Sequence, residues 1–382
     1  MAPPKDLSKL ISLTQTTQTL LSHFQTSLTP TTKPSSTSSD APSLPNGTLP
    51  AIHAATTLLK SHTTTLSLLL LTPPLTPSAL IGKIGDVTSG ALSGMVAAAA
   101  YVPGPGARDE LGQIMRSEMR AAVLRVVGAW SEVLRQVLGM AEARRELSGK
   151  DAGPSEAERR DVLAATGVVW DVCDKVLRLC DGGVVELVLS KAQQLRAVLL
   201  DAVEEIKEWG EDVASDSEDG AEGSADEEDD GFGDEDDFFA AENKIGKDDV
   251  ELKALLDRSV KKLKMVAIMY QAVGKRRLNT FPAVRGSNPA SVSAVAAEGE
   301  LAGETPAQKL DKLMHILKTI PDSVDDLAST FYELDQEEAE VELKKVCDKA
   351  KSAVELVKKS WTDTDDEFTA WSAKWTQALD LA

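Results

Sequence analysis

Between Glu208 and Glu242 the chain carries seventeen carboxylates and no Lys, Arg or His, and amphipathic helical pattern lies on both sides of that run. A stretch so charged and so poor in aliphatic side chains cannot bury enough apolar surface to order itself. The chain must therefore fold as helical lobes around a segment that joins neither core. The run also holds most of the charge imbalance. The sequence has 61 acidic and 41 basic residues, and outside the run 44 acids face the same 41 bases. The lobes are thus close to neutral. A net charge of −20 argues against nucleic acid or an anionic membrane as a direct partner, because both require a basic surface.

Ala, Leu and Val dominate the apolar fraction, only 4% of residues are aromatic, and alternating strand pattern is missing. The periodicity predicts helices over 6–28, 51–71, 77–102, 109–147, 156–182, 185–209 and 248–277. A short helix from Pro306 should stop at Pro321. A further one should run to about Trp361 with an interruption near Gln336, and a last one should carry Phe368, Trp371, Trp375 and Leu379 on one side. Ser155 with Glu158, and Thr305 with Gln308, have the spacing of capping boxes. Two seams at alternating three- and four-residue steps stand out: Leu163, Thr166, Trp170, Cys173, Leu177, Cys180, and then Val185, Val188, Ala192, Leu195, Leu199, Ala202, Ile206, Trp209. The expected domains are 1–210, with a disordered Thr/Ser/Pro-rich loop at 29–50, then a disordered acidic segment at 211–244. The rest, 245–382, is a C-terminal helical region with a flexible loop at 280–303.

Chemistry-bearing motifs are scarce. His53 and His62 are nine apart, on opposite sides of a helix, and no metal-ligand spacing appears. Cys173, Cys180 and Cys347 read as small core residues in a reducing compartment. No phosphate loop, nucleophile elbow or triad order is present, so neither catalysis nor a cofactor is expected. Two features point to partner binding. Ser215 and Ser224 each have Glu three residues on, the context of an acid-directed kinase, and phosphate there would sharpen contact with a basic partner. Arg258, Lys261, Lys262, Lys264, Lys275, Arg276 and Arg277 give the helix after the acidic run a basic docking face.

Several stretches resemble the cyclin-D-type binding proteins, the Grap- and cyclin-D-interacting family also called GCIP. They are Thr63-Thr64-Thr65-Leu66-Ser67-Leu68, Pro73-Pro74-Leu75-Thr76-Pro77, Ala100-Tyr101-Val102-Pro103, Lys261-Lys262-Leu263-Lys264-Met265-Val266 and Ile320-Pro321-Asp322-Ser323-Val324-Asp325-Asp326-Leu327-Ala328. The resemblance implies an all-α, two-lobed bundle of the vinculin/α-catenin type, acting without catalysis in cytoplasm and nucleus. Its implied partners are cyclin-like or helix–loop–helix regulators of cell-cycle progression and transcription. An adhesion-type bundle adaptor and an acidic chaperone for basic proteins are the rival readings. A monomer is the expected state.

Overall fold

The structure, a computed structural model, describes residues 4–29, 47–102, 111–146, 153–215, 249–282 and 305–382. Among these every regular element is helical, so the all-α expectation holds. The described chain forms two compact units, the first ending at Val184 and the second beginning at Val185. The divide was expected near residue 210. It falls instead where Gly183 takes φ 62° and ψ −163°, a conformation that is essentially reserved for glycine. The seam beyond that break accordingly belongs to the second unit.

In the first unit α1 (Pro4–Leu28) packs on α3 (Pro77–Asp86) and on the long α5 (Gly112–Glu146), while α2 (Thr48–Leu71) packs on α3 and α4 (Ser93–Ala100). A single π-type turn, Val87–Leu92, joins α3 to α4. The core is aliphatic around Trp130, with Leu10, Leu21, Ile52, Leu59, Leu66, Ile84 and Val126 fully enclosed. Each such side chain contributes roughly 1.5–3 kcal/mol on burial. Threonines share the buried faces because their hydroxyls turn back on the preceding turn. Thr14 donates to Leu10 O (2.8 Å), Thr56 to Ile52 O (2.7 Å) and Thr63 to Leu59 O (2.8 Å). Only their methyl groups then face the core.

The helix α6 (Glu156–Ser215) crosses the divide. Its first half opens with the expected capping box: Glu158 N–H donates to Ser155 Oγ (3.2 Å) and Ser155 N–H to Glu158 Oε2 (2.7 Å). The face that is buried, however, is Val162, Ala165, Thr166, Val169, Cys173 and Val176. Leu163 and Trp170, expected inside, are 56% and 39% exposed. Two series with the same rhythm overlap in this helix and share Thr166 and Cys173; the one with smaller side chains faces inward.

The second unit gathers the other half of α6, α7 (Val250–Ala272), α8 (Pro306–Tyr332), α9 (Gln336–Leu356) and α10 (Glu367–Leu381). Val188, Ala192, Leu199 and Ile206 are buried as the second seam predicts. Arg196 Nε donates to Ala267 O (3.0 Å), tying α6 to α7. The backbone of α6 comes so near α7 at Gly210 that a Cβ there would stand 2.7 Å from Leu256 Cδ2. The helix at Pro306 opens with its Thr305/Gln308 box but does not stop at Pro321; it continues to Tyr332, and Asp335 caps α9. A proline inside a helix leaves the carbonyl four residues back without its N–H donor. Here that carbonyl, Leu317 O, accepts from Tyr270 Oη at 2.6 Å. Tertiary structure replaces the missing helical bond, so the helix runs on.

Candidate protein-interaction surfaces

Below α7 the chain takes one π-type turn, Val273–Arg277, which rotates the last basic residue inward. Arg277 is fully buried, and this removes it from the expected docking face. Its guanidinium makes two bonds to Asp366, Nη1 to Oδ2 at 2.6 Å and Nη2 to Oδ1 at 3.0 Å, and Nη2 also donates to Lys358 O (2.9 Å). It lies 4.7 Å over the ring of Phe368. Trp361 Nε1 donates to Arg277 O (2.9 Å), and Asp366 caps α10 by accepting from Thr369 N–H (3.1 Å). The Arg277 hydrogen bonds hold the Asp366 carboxyl below its ordinary range. Arg277 thus anchors α10, and its charge is spent internally.

The remaining cations of the expected docking face divide by position along α7 and its π-type turn. Lys261, Lys264 and Lys275 lie with Ile268 and Gln271 on one solvent-facing stripe. Arg258, to one side, pairs with Glu340 of α9 (3.1 Å). Lys262 is half-buried, and its charge acts on Cys347 of α9. Arg276 is exposed next to the turn. The basic face is narrower than its sequence suggests. Ser215 ends the backbone of α6, and Ser224 lies outside the described residues.

A second surface, in the first unit, has no counterpart in the expected sites. Lys60 meets Asp174 at 2.5 Å and His53 meets Asp181 at 3.5 Å, so α2 and the first half of α6 run antiparallel with a constant register. That register sets Leu68, 60% exposed, level with Thr166 and thus between the heights of Leu163 and Trp170. Both strips are poor in ionic side chains: no Lys, Arg, Asp or Glu occurs from Ser61 to Gly82 or from Val162 to Trp170. Thr64 and Thr65 donate their hydroxyls back to Lys60 O (2.9 Å) and Ser61 O (3.2 Å). Gly167 sits between Leu163 and Trp170 on the helix face, with open space where a Cβ would stand. Trp170 is therefore an exposed aromatic beside a shallow gap in uncharged surroundings, the composition of an interface centre. The sequence signal was present as the two uncharged runs; what it lacked was the register that places them together.

Burial pushes the Cys173 and Cys180 thiols up to about 12, so both stay protonated and inert at neutral pH. Among the described residues no group of three or more His, Cys, Asp and Glu is placed to hold a metal ion, and no helix is long and apolar enough to cross a membrane. An open groove of about 700 Å³ between α8 and α9 is lined by His315, Lys344, Lys345, Asp348, Lys349 and Ser352. Two of its lysines are engaged within the unit: Lys345 with Glu342 (3.0 Å), Lys349 with Thr319 O (3.1 Å) and Ser323 Oγ (2.5 Å).

No solved structure matches the chain. An uncharacterized protein of Schizosaccharomyces pombe is 23% identical over 327 residues, covering 85% of this chain and 82% of that relative. A family model described as Grap2 and cyclin-D-interacting, N-terminal, matches residues 51–212. That span holds α2 to α6 and with them the uncharged surface. Residues 51–212 are thus similar to the N-terminal region of the Grap2 and cyclin-D-interacting proteins, and the motifs at 63–68, 73–77 and 100–103 fall within that span.

Proposed function

We propose that this protein is a non-enzymatic adaptor whose first unit binds a cyclin-like regulatory protein through the surface of Leu68, Leu163 and Trp170. The observation that carries the reading is the exposure of these three large apolar side chains on adjoining uncharged strips, inside the span that matches a family described as cyclin-D-interacting. A partner helix with an apolar stripe fits such a surface, and its anchoring side chain would enter the gap over Gly167. The adaptor works as a monomer, in cytoplasm and nucleus, on regulators of cell-cycle progression and transcription. The two-lobed bundle serves this role in the manner of vinculin-type adaptors. Trp170→Asp lies outside the buried face of α6 and is expected to weaken titration of a purified cyclin from the source organism at least tenfold, with circular dichroism unchanged. Equal binding by both proteins would remove the surface from the account.

A second element rests on the stripe of Lys261, Lys264 and Lys275. The acidic run competes with an acidic partner for this stripe, and phosphate on Ser215 or Ser224 strengthens the competition. Exposed charge pairs contribute no more than about 1 kcal/mol each and are screened by salt, so the effect is a modest one. Deleting residues 211–240 should raise partner affinity about threefold to tenfold at low salt and leave it unchanged at high salt. Identical affinities at low salt would exclude it.

A further inference from the structure

The turn between α9 and α10 is organised by three hydroxyls. Ser360 Oγ lies 3.0 Å from Thr362 Oγ1 and 2.7 Å from Thr364 Oγ1, and these two are 3.3 Å apart. Ser360 Oγ also accepts the N–H groups of Thr362 (3.3 Å) and Thr364 (3.1 Å). Ser360 N–H donates to Thr364 O at 2.9 Å, and Asp363 takes a left-handed φ of 60°. Thr362 and Thr364 are exposed, and Thr364 is followed by Asp365, Asp366 and Glu367, all exposed as well. Two residues after Thr364 comes Asp366, the partner of buried Arg277 and the cap of α10.

From this juxtaposition we infer that Thr364 is a phosphorylation site for an acid-directed Ser/Thr kinase, and that phosphate there loosens the docking of α10. The acids at the three following positions supply the negative charge that a basic kinase groove selects. The γ-phosphoryl group of ATP passes to Thr364 Oγ1: the new O–P bond forms as the bond to the β–γ bridging oxygen breaks. ADP leaves with that electron pair, and the hydroxyl proton goes to the kinase's catalytic carboxylate. The product adds about −1.5 to −2 charges at pH 7. It replaces a hydroxyl that shares a hydrogen bond with Ser360, and it stands among Asp363, Asp365, Asp366 and Glu367. The cations paired around this turn are already engaged, Lys358 with Glu355 (3.3 Å), Lys359 with Asp363 (3.9 Å) and Arg277 with Asp366 (2.6 Å). The positive end of the α10 dipole would favour a phosphate, but Asp366 and Glu367 already occupy it. Repulsion and the broken hydroxyl cluster therefore prevail. Once α10 is released, the buried Phe368, Trp375 and Leu379 become available. The inference is independent of the surface assigned to the first unit.

The test uses the purified full chain with a constitutively active acid-directed Ser/Thr kinase, ATP and Mg²⁺, with sites mapped by mass spectrometry. Phosphate is expected on Thr364. It should be absent there in Thr364→Ala and at least tenfold slower in Glu367→Gln, which leaves the hydroxyl cluster intact. Amides of α10 should then exchange with deuterium at least tenfold faster in the phosphorylated protein, while those of α8 keep their rates. No phosphate on Thr364, whether or not Ser215 or Ser224 is labelled, overturns the site. Labelling that ignores Glu367→Gln overturns its acid direction, and unchanged α10 exchange in the phosphorylated protein overturns the release.

Discussion

Asp366→Ala is expected to destabilise the second unit by about 3 kcal/mol, since it leaves the buried charge of Arg277 without its partner. The stranded group is the Arg277 guanidinium, which is fully enclosed and keeps only Lys358 O and the Phe368 ring. The reverse substitution should cost less. Arg277→Met leaves a carboxylate that is 35% exposed and regains water, so a loss of about 1 kcal/mol is expected. The pair also fixes a pH dependence. Asp366 is held below its unfolded value chiefly by the Arg277 hydrogen bonds. Its contribution is therefore complete above the unfolded carboxylate range of about 3.9 and is lost as pH falls through the folded value. Denaturant midpoints followed by tryptophan emission should separate wild type from Asp366→Ala fully at pH 7 and progressively less below about pH 4. A gap that stayed constant into acid would mean that the ionised pair is not what the substitution removes.

Tyr270→Phe should cost about 2 kcal/mol, a large effect for one oxygen atom. The phenol donates to Leu317 O inside the core, and burial pushes its pKa upward, so it remains a donor at every physiological pH. Leu317 O depends on it because Pro321 supplies no N–H. The two positions are therefore coupled. In a Pro321→Ala background the alanine N–H can reach Leu317 O along the helix, and Tyr270→Phe should then cost about 1 kcal/mol less than in the wild type. A double-mutant cycle by urea denaturation measures this directly. Strict additivity would show that the carbonyl is satisfied some other way.

These two sites also show where the sequence is legible and where it is silent. Local chemistry was readable. The capping boxes at Ser155 and Thr305, the break at Gly182-Gly183 and the seam from Val185 to Trp209 all follow from spacing within one or two turns. What failed depended on partners far along the chain. Pro321 reads as a stop signal unless Tyr270, 47 residues before the freed carbonyl of Leu317, is known to repair the helix. Arg277 reads as the end of a basic cluster, because its partner Asp366 is 89 positions distant. In the first half of α6, Leu163 and Trp170 fit the helical period as well as the residues that are buried. Only tertiary burial separates the two series, and it leaves the larger side chains outside. That misreading is informative, since an exposed tryptophan beside leucines is the strongest sign of a binding surface in the first unit.

Hydrogen exchange of the full chain, alone and saturated with a purified cyclin from the source organism, tests the central claim most directly. Binding through the uncharged surface predicts strong slowing of exchange in peptides spanning residues 61–72 and 162–170, with the core of α5 unaffected. Slowing confined to the second unit, or none in either strip at saturation, would contradict it.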